Sequence, residues 1–167
     1  ESGTEDLDIL SRAHQAMKKK VSAISQQFNS ERYDLESSSD LLVLASLIEK
    51  ETGYDEDRYI ISQVFHERLK RKMRLQTDPS VIYALGDKFD GNLTRRNLRI
   101  DSPYNTYRKR GLPPTPISYP SKASLSAAAN PTNSEYLYFV ARGDGSSQFS
   151  KTLREHNAAV RKYQLNR

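Results

Sequence analysis

The chain has 167 residues, 36% of them hydrophobic, which suffices for one buried core but would leave two half-size domains marginally stable. It contains no cysteine, which excludes a disulfide framework and a Cys-ligated metal site. The net charge of +5 would suit nucleic acid, an anionic membrane or a cell-wall glycan, but most cations are interleaved with acids, which favours a solvated surface.

The start of the chain indicates a piece of a longer protein. The first residue is Glu1 rather than Met, and no signal-peptide pattern follows it. No apolar run reaches the roughly 18 residues that a bilayer span requires. We therefore expect a soluble fragment, with any anchor or targeting segment upstream.

Two helices are predicted in the first third of the chain. Apolar residues spaced by three and four over 6–28 predict an amphipathic helix. The Ser and Asp cluster at 37–40 is typical of a helix N-terminus, because its oxygens accept hydrogen bonds from free N–H groups. The helix that follows contains "LLVLASLIEKET", residues 41–52, and Gly53 is expected to cap its end.

Two more helices follow. The acidic residues at 55–57 favour a helix N-terminus through the helix dipole. Farther on, Thr77 or Asp78 caps a short helix that has Pro79 in its first turn and Gly86 as its terminator.

The stretch over 87–120 has a different composition, rich in Asp, Asn, Pro, Tyr and Arg. Its densest pieces are "SPYNTY" at 102–107 and "GLPPTPISYP" at 111–120. Adjacent prolines are incompatible with a helix interior or a central strand. The tyrosines predict a packed, ordered loop.

The C-terminal part predicts a helix, a hairpin and a final helix. Ser121 begins a short helix, and the aromatic and β-branched run at 136–142 predicts a strand. A Gly-Asp-Gly turn allows 147–152 to return as its partner. Thr152 and Glu155 form a capping-box pair for the last helix. The predicted fold class is α+β, mainly helical, with a small antiparallel sheet.

The candidate chemistry lies at the end of the helix over 41–52. On a helical wheel, Glu49 and Glu51 both project from apolar sectors, and burial there raises the pKa of a carboxyl group. A carboxylic acid that keeps its proton near neutral pH can act as a general acid. Alternatively, both side chains form ion pairs with Lys50, Arg58 or another cation. The wheel does not separate Glu49 from Glu51.

Other chemistries have weaker support. His14, His66 and His156 lie far apart on predicted helices, and there is no HExxH motif, so no metal site is expected. The chain has no serine-nucleophile elbow and no glycine-rich phosphate loop. Nucleic-acid binding through Lys18–Lys20, Lys70–Lys72 and "TRRNLR" is disfavoured by the mixed charges and the absence of a known binding motif.

Several polar and aromatic side chains suit a sugar-binding groove. Tyr rings stack on the C–H faces of sugars, whereas amide and hydroxyl groups bind ring hydroxyls. Tyr104, Asn105, Thr106 and Tyr107 provide such groups beside a rigid turn, and Gln76 and Asp78 add others. Turn formation by Asn105 and helix capping by Asp78 are the structural alternatives.

Five linked motifs resemble, in order and spacing, the endolytic murein transglycosylases of the MltG/YceG-like family. They are "LASLIEKET", "RLQTDPSVIYALG", "SPYNTY", "GLPPTPI" and "YLYFVARGDGSSQFSKTLREHN". The resemblance covers about 41–157, whereas 1–40 lack a distinctive signature. It implies a single catalytic domain over 1–167, with 1–40 as a helical lead-in and 158–167 as the end of the last helix.

The resemblance implies a lytic transglycosylase that cuts the β-1,4 bond between N-acetylmuramic acid and N-acetylglucosamine and leaves a 1,6-anhydro end. The first glutamate of the "EKET" motif, Glu49, is the implied catalytic acid. No second carboxylate is required, because the C6 hydroxyl of the sugar is a tethered nucleophile. The implied substrate-binding residues are Gln76, Asp78, Tyr83, Asn105, Thr106 and Tyr107.

The resemblance also implies the cofactors, the partners and the location of the protein. No cofactor or metal is expected, and the partners are peptidoglycan glycan strands and cell-wall synthases such as penicillin-binding proteins, with no nucleic acid. Family members usually carry an N-terminal membrane helix and a LysM-like module, which implies a single-pass protein of the bacterial cytoplasmic membrane with this domain on its outer face. Gln148 stands where a histidine is common. A non-catalytic glycan-binding or scaffold domain is the alternative.

Overall fold

The computed structural model describes residues 6–26, 28 and 35–165. Over those residues it contains helices and one two-stranded antiparallel sheet, which confirms the predicted α+β class. The elements in chain order are α1 (Asp6–Ser25), α2 (Ser38–Glu51), α3 (Asp55–Lys70), α4 (Asp78–Leu85), α5 (Lys122–Ala129), β1 (Tyr138–Ala141), β2 (Ser147–Ser150) and α6 (Leu153–Val160), with 3₁₀ turns at Gly86–Lys88 and Asn97–Arg99 and a π-helical turn at Arg161–Leu165.

Helix α2 is the centre of the core. Its apolar side chains point in nearly all directions, and it is correspondingly surrounded by α1, α3, α4 and α5. The predicted N-terminal cap is confirmed: Ser37 accepts from the backbone N–H of Asp40, and Asp40 accepts from that of Ser37. The helix ends at Glu51 with Thr52 as its C-cap, so the cap is not Gly53.

Polar groups of α3 hold the C-terminal turn of α5, where backbone carbonyls have no partner within the helix. Ser62 Oγ donates to the carbonyl of Ala127 over 2.7 Å, and His66 Nε2 lies 2.8 Å from the carbonyl of Ala128. Burial lowers the pKa of His66 to about 4. The imidazole is therefore neutral at pH 7 and donates this hydrogen bond from Nε2.

The sheet closes the C-terminal side of the fold. Tyr138 pairs with Ser150 and Ala141 with Ser147, across a turn in which both glycines have positive φ. Phe139 of β1 packs edge-to-face against Phe65 of α3, with ring centroids 6.1 Å apart. The sheet thereby holds α6 next to the end of α2.

The predicted ordered loop over 87–120 is organised around Asn105, which is fully buried. Its Nδ2 donates to the carbonyls of Leu98 and Ile100, and its Oδ1 accepts from the backbone N–H of Tyr107. The neighbouring Thr106 side chain accepts from the N–H of Thr77 at the start of α4. These bonds fix the position of Tyr107 against α4.

Some predicted bounds differ from the structure. The helix predicted over 6–28 ends at Ser25, and the strand predicted over 136–142 is limited to Tyr138–Ala141. The last helix continues beyond Val160 as a π-helical turn. Within the described part of the chain, every helix is too short or too polar to traverse a lipid bilayer.

Candidate active site

A polar cavity of about 530 Å³ lies where the end of α2 meets α4, β1 and α6. Tyr107, from the loop before α5, adds one side of the cavity. The ionisable and amide side chains that line it are Glu51, Arg68, Gln76, Asp78, Tyr107, Tyr138, His156, Asn157 and Gln164.

Glu51 is the last residue of α2 and projects into this cavity. The residue keeps some solvent exposure, but its Oε2 atom is buried and has no hydrogen-bond partner among the described residues. Burial, and then the negative charge of Asp78, raise its pKa to about 8, against a smaller opposing effect of Arg68. Glu51 is consequently a protonated carboxylic acid at neutral pH.

Arg68 supplies a buried cation to the cavity wall. Its guanidinium donates from Nε to the carbonyl of Leu137 over 2.8 Å and from Nη1 to the carbonyl of Leu75 over 2.7 Å. It also lies over the ring of Tyr138, 5.4 Å from the centroid. Burial lowers the pKa of Arg68, partly offset by the nearby Tyr138 and Glu51. These contacts hold the guanidinium in one place without a carboxylate within ion-pair distance among the described residues.

Asp78 and Tyr107 form a hydrogen-bonded pair in the wall of the cavity that contains Glu51. The Tyr107 hydroxyl donates to Asp78 Oδ1 over 2.5 Å. Burial and this bond raise the pKa of Tyr107, so its hydroxyl keeps its proton. Next to them, Gln76 has a positive φ of 53°, an unfavourable conformation for a residue with a side chain. The strain is held by the bond from its N–H to the carbonyl of Thr106.

His156 is a cavity residue that the sequence analysis did not select. Its Nδ1 is buried without a hydrogen-bond partner in the described structure, and its ring stacks on Tyr138 with centroids 5.3 Å apart. Burial, and then the charge of Arg68, lower its pKa, which favours the neutral imidazole. Arg68 and Tyr138 were missed as well. No local pattern marks these three residues, because they meet only in the folded chain.

Glu49 lies in a different environment from Glu51, because two residues along a helix differ in direction by roughly 200°. Its Oε2 accepts from the backbone N–H of Ser121 at 2.9 Å, from Ser121 Oγ at 2.6 Å and from Ser124 Oγ at 2.5 Å. Arg58 Nη1 lies 3.6 Å away. Glu49 thus binds the N-terminus of α5 and pairs with a cation, as the structural alternative predicted.

The pKa of Glu49 follows from these contacts. Burial alone would raise it, but the hydrogen bonds from Ser121 and Ser124 and the charge of Arg58 outweigh that effect, and the net pKa is lowered. The expectation that the apolar helix raises the pKa of Glu49 is therefore wrong. The alternative of a direct basic partner for Glu51 also fails, since its Oε2 has no hydrogen-bond partner among the described residues and Arg68 has only a smaller electrostatic effect on it.

The implied substrate-binding residues divide into two groups. Gln76, Asp78 and Tyr107 line the cavity with Glu51. The other three lie outside the cavity: Asn105 and Thr106 are buried inside the loop, and Tyr83 is 45% exposed and packs against Tyr104. Gln148 also lies outside the cavity, with its Oε1 accepting from Arg142.

The cavity offers acid chemistry and carbohydrate-binding groups. Among the described residues, no three His, Cys, Asp or Glu side chains are grouped to hold a metal ion. A protonated carboxylic acid in a cavity lined by tyrosines and amides is typical of enzymes that cleave glycosidic bonds.

Comparison with known proteins places the chain in a family. The YceG-like family matches residues 1–162, and the chain belongs to it. An endolytic murein transglycosylase of Bacillus subtilis is 46% identical over 149 residues, which are 89% of this chain and 41% of that protein. One from Streptococcus pneumoniae serotype 2 is 38% identical over 128 residues, 73% of this chain and 23% of its own length.

The fold agrees with this membership. The crystal structure of a YceG-like protein from Listeria monocytogenes superposes with a TM-score of 0.67 at 49% identity. The match covers 73% of this chain and 39% of the Listeria chain. The chain therefore spans less than half the length of each of these relatives.

Proposed function

We propose that this chain carries the catalytic site of an endolytic murein transglycosylase. The reaction is non-hydrolytic cleavage of the β-1,4 bond between N-acetylmuramic acid and N-acetylglucosamine, giving a 1,6-anhydro-muramoyl end. Two relatives that are 46% and 38% identical bear this enzyme's name. The observation that carries the proposal is the protonated carboxyl of Glu51 in a cavity with tyrosine and amide groups.

Glu51, rather than Glu49, is the acid that we assign to this reaction. General acid catalysis needs a proton on the carboxyl group near neutral pH, and the pKa is raised at Glu51 and lowered at Glu49. Three implied groove residues, Gln76, Asp78 and Tyr107, also lie around Glu51. The catalytic role of Glu49 implied by the family motif stays a prediction, which the paired variants below test.

The proposed mechanism requires one acid that acts twice. Glu51 donates its proton to the glycosidic oxygen while the bond from that oxygen to C1 of the muramoyl residue breaks. The C6 hydroxyl of the same sugar then attacks C1, and its proton passes to the Glu51 carboxylate, which restores the acid. No water is consumed. Because the nucleophile is already attached to the reacting ring, proximity supplies much of the rate.

The other cavity residues have supporting roles in this mechanism. The Asp78 carboxylate favours the positive charge that develops on the sugar ring, and its bond from Tyr107 keeps it in place. His156, held neutral, has a free Nδ1 for a sugar hydroxyl. Gln76 presents its amide from a strained backbone that positions it at the cavity edge.

The test is digestion of purified peptidoglycan by the wild type, Glu51→Gln and Glu49→Gln, followed by mass spectrometry of the fragments. We expect anhydro-muramoyl ends from the wild type, an at least hundredfold lower rate for Glu51→Gln, and a smaller loss for Glu49→Gln. The reverse ranking would restore Glu49 as the acid. Hydrated reducing ends would indicate a hydrolase, and no products at all would favour a glycan-binding scaffold.

We propose the bacterial cell envelope as the setting, because murein lies there. We further propose that the full-length protein crosses the cytoplasmic membrane once and that the catalytic site lies on the outer side of that membrane. Its substrate there would be the strands made by penicillin-binding proteins. Fractionation of cells and cross-linking of the full-length protein to these synthases would test both parts.

A further inference from the structure

Residues 94–110, called here the basic loop, form one of the strongly basic segments of the chain. The loop contains a single acidic residue, Asp101, and its cations are Arg95, Arg96, Arg99, Arg108, Lys109 and Arg110. Its net charge of +5 equals that of the whole chain, so the remaining residues are neutral as a set.

In the folded structure the cations of the basic loop point to solvent, and two parts of the loop are joined by a hydrogen bond. All six side chains are exposed. Asn105 folds the loop back on itself, which brings Arg108 Nη1 to the carbonyl of Arg99 over 2.7 Å. Within the described residues, Lys109 alone among the six has a carboxylate nearby, that of Asp101 at 3.3 Å. The surface therefore has cations in excess of internal partners.

The basic loop adjoins the cavity that contains Glu51. Tyr107 lies within the loop sequence, lines the cavity and bonds to Asp78 there. Arg108 follows it directly, on the exposed side. A polymer that is bound in the cavity and leaves past Tyr107 would therefore meet the cations at once.

We propose that the basic loop binds the free carboxylates of the stem peptides carried by the glycan strand next to the bond being cut. This inference rests on the proposed function, because it takes peptidoglycan as the polymer in the cavity. Where a peptide is attached, the lactyl carboxyl of the muramic acid is used in the amide bond to that peptide, so the free carboxylates are on the peptides. Guanidinium groups bind carboxylates in a two-bond geometry, and five of the six cations are arginine.

A binding experiment tests this proposal independently of catalysis. Insoluble peptidoglycan is incubated briefly on ice with the protein, and the bound fraction is measured after sedimentation. The comparison substrate is the same material after its carboxylates have been converted to methylamides with carbodiimide and excess methylamine. The loop variant is Arg95→Gln/Arg96→Gln/Arg110→Gln, and the matched control is Lys18→Gln/Lys19→Gln/Lys20→Gln, three exposed cations on α1.

We expect the loop variant to raise the Kd for untreated peptidoglycan about tenfold, as loss of three exposed charge pairs would do, and the control variant to change it less than twofold. The Kd of the wild type should be higher by a similar factor for the methylamide substrate than for untreated peptidoglycan. On the methylamide substrate the loop substitutions should not change the Kd further. Binding by the wild type should also weaken with added salt.

Equal binding to both substrates, or equal effects of the loop and control variants, would overturn the proposal. So would tighter binding of a single-stranded oligonucleotide than of soluble peptidoglycan fragments, if the loop variant weakened only the oligonucleotide. Failure of the proposed function is a separate result. Loop-dependent binding without anhydro products would refute the transglycosylase and leave the inference standing.

Discussion

The raised pKa of Glu51 predicts a measurable change in stability when Glu51 is replaced by Gln. The folded protein holds the Glu51 proton up to a pKa of about 8, whereas the unfolded chain releases it near 4.5. Between these values the folded state binds more protons than the unfolded state, so the free energy of unfolding falls as pH rises. Gln has no proton to lose, so the variant lacks this fall.

The magnitude follows from the size of the shift. Each pH unit in this window changes the free energy of unfolding by about 1.4 kcal/mol, so the wild type loses about 3 kcal/mol through Glu51 between pH 4.5 and 7. Gln leaves an amide in the same place at every pH, so any hydrogen-bonding penalty it brings is constant. The expected result is therefore that the variant becomes more stable relative to the wild type as pH rises.

The assay is urea denaturation followed by circular dichroism at several values between pH 4.5 and 7.5. If the free energy of unfolding of the variant, relative to that of the wild type, increases by about 3 kcal/mol across this range, the result would support a buried, protonated Glu51. A difference that stays constant across this range would refute the reasoning, because it would mean that Glu51 ionises normally. The acid role assigned to it would then lose its physical basis.

Four further predictions concern other residues. Glu49→Gln should lower stability at pH 7 by about 1 to 2 kcal/mol in the same assay, because α5 loses its charged N-terminal partner. Because the pKa of His66 is lowered on folding, the free energy of unfolding should fall as pH falls from 6.5 to about 4. Above pH 4.5 the Glu51 effect has the opposite sign and partly masks this dependence. In Glu51→Gln the Glu51 effect is absent, so the fall in the free energy of unfolding with falling pH should be measurable. Asn105→Ala should lower stability by about 2 to 4 kcal/mol by leaving the carbonyls of the loop without donors, and a thermal melt that matches the wild type would contradict it. His156→Ala should lower the rate of anhydro-end formation about tenfold with a nearly unchanged melting temperature, and unchanged kinetics would remove His156 from the site.

The local features of the fold could be predicted because they depend on neighbours in the sequence. Ser37 with Asp40 and Thr152 with Glu155 form the predicted capping boxes. The burial of α2 on nearly all sides also follows from its composition. Helix bounds were less accurate, because the last turn of a helix depends on what it packs against.

The site could be predicted only in part, for a physical reason. Periodicity shows that Glu49 and Glu51 leave α2 in opposite directions, but it does not show which direction leads to a cavity. That depends on α6 and the loop before α5, which are distant in sequence. The two roles considered for Asn105 could not be separated for the same reason: an amide can bind a sugar or a backbone carbonyl, and the folded loop shows it bonded to the carbonyls of Leu98 and Ile100.

The walls of the Glu51 cavity come largely from residues 138–164, almost ninety positions and more beyond the acid itself. Until β1 and α6 are in place, the carboxyl of Glu51 is open to water and ionises as any glutamate does. If Glu51 is the acid, as proposed above, it gains its raised pKa only when the last part of the domain has folded onto it, and a chain cut before β1 should have no transglycosylase activity.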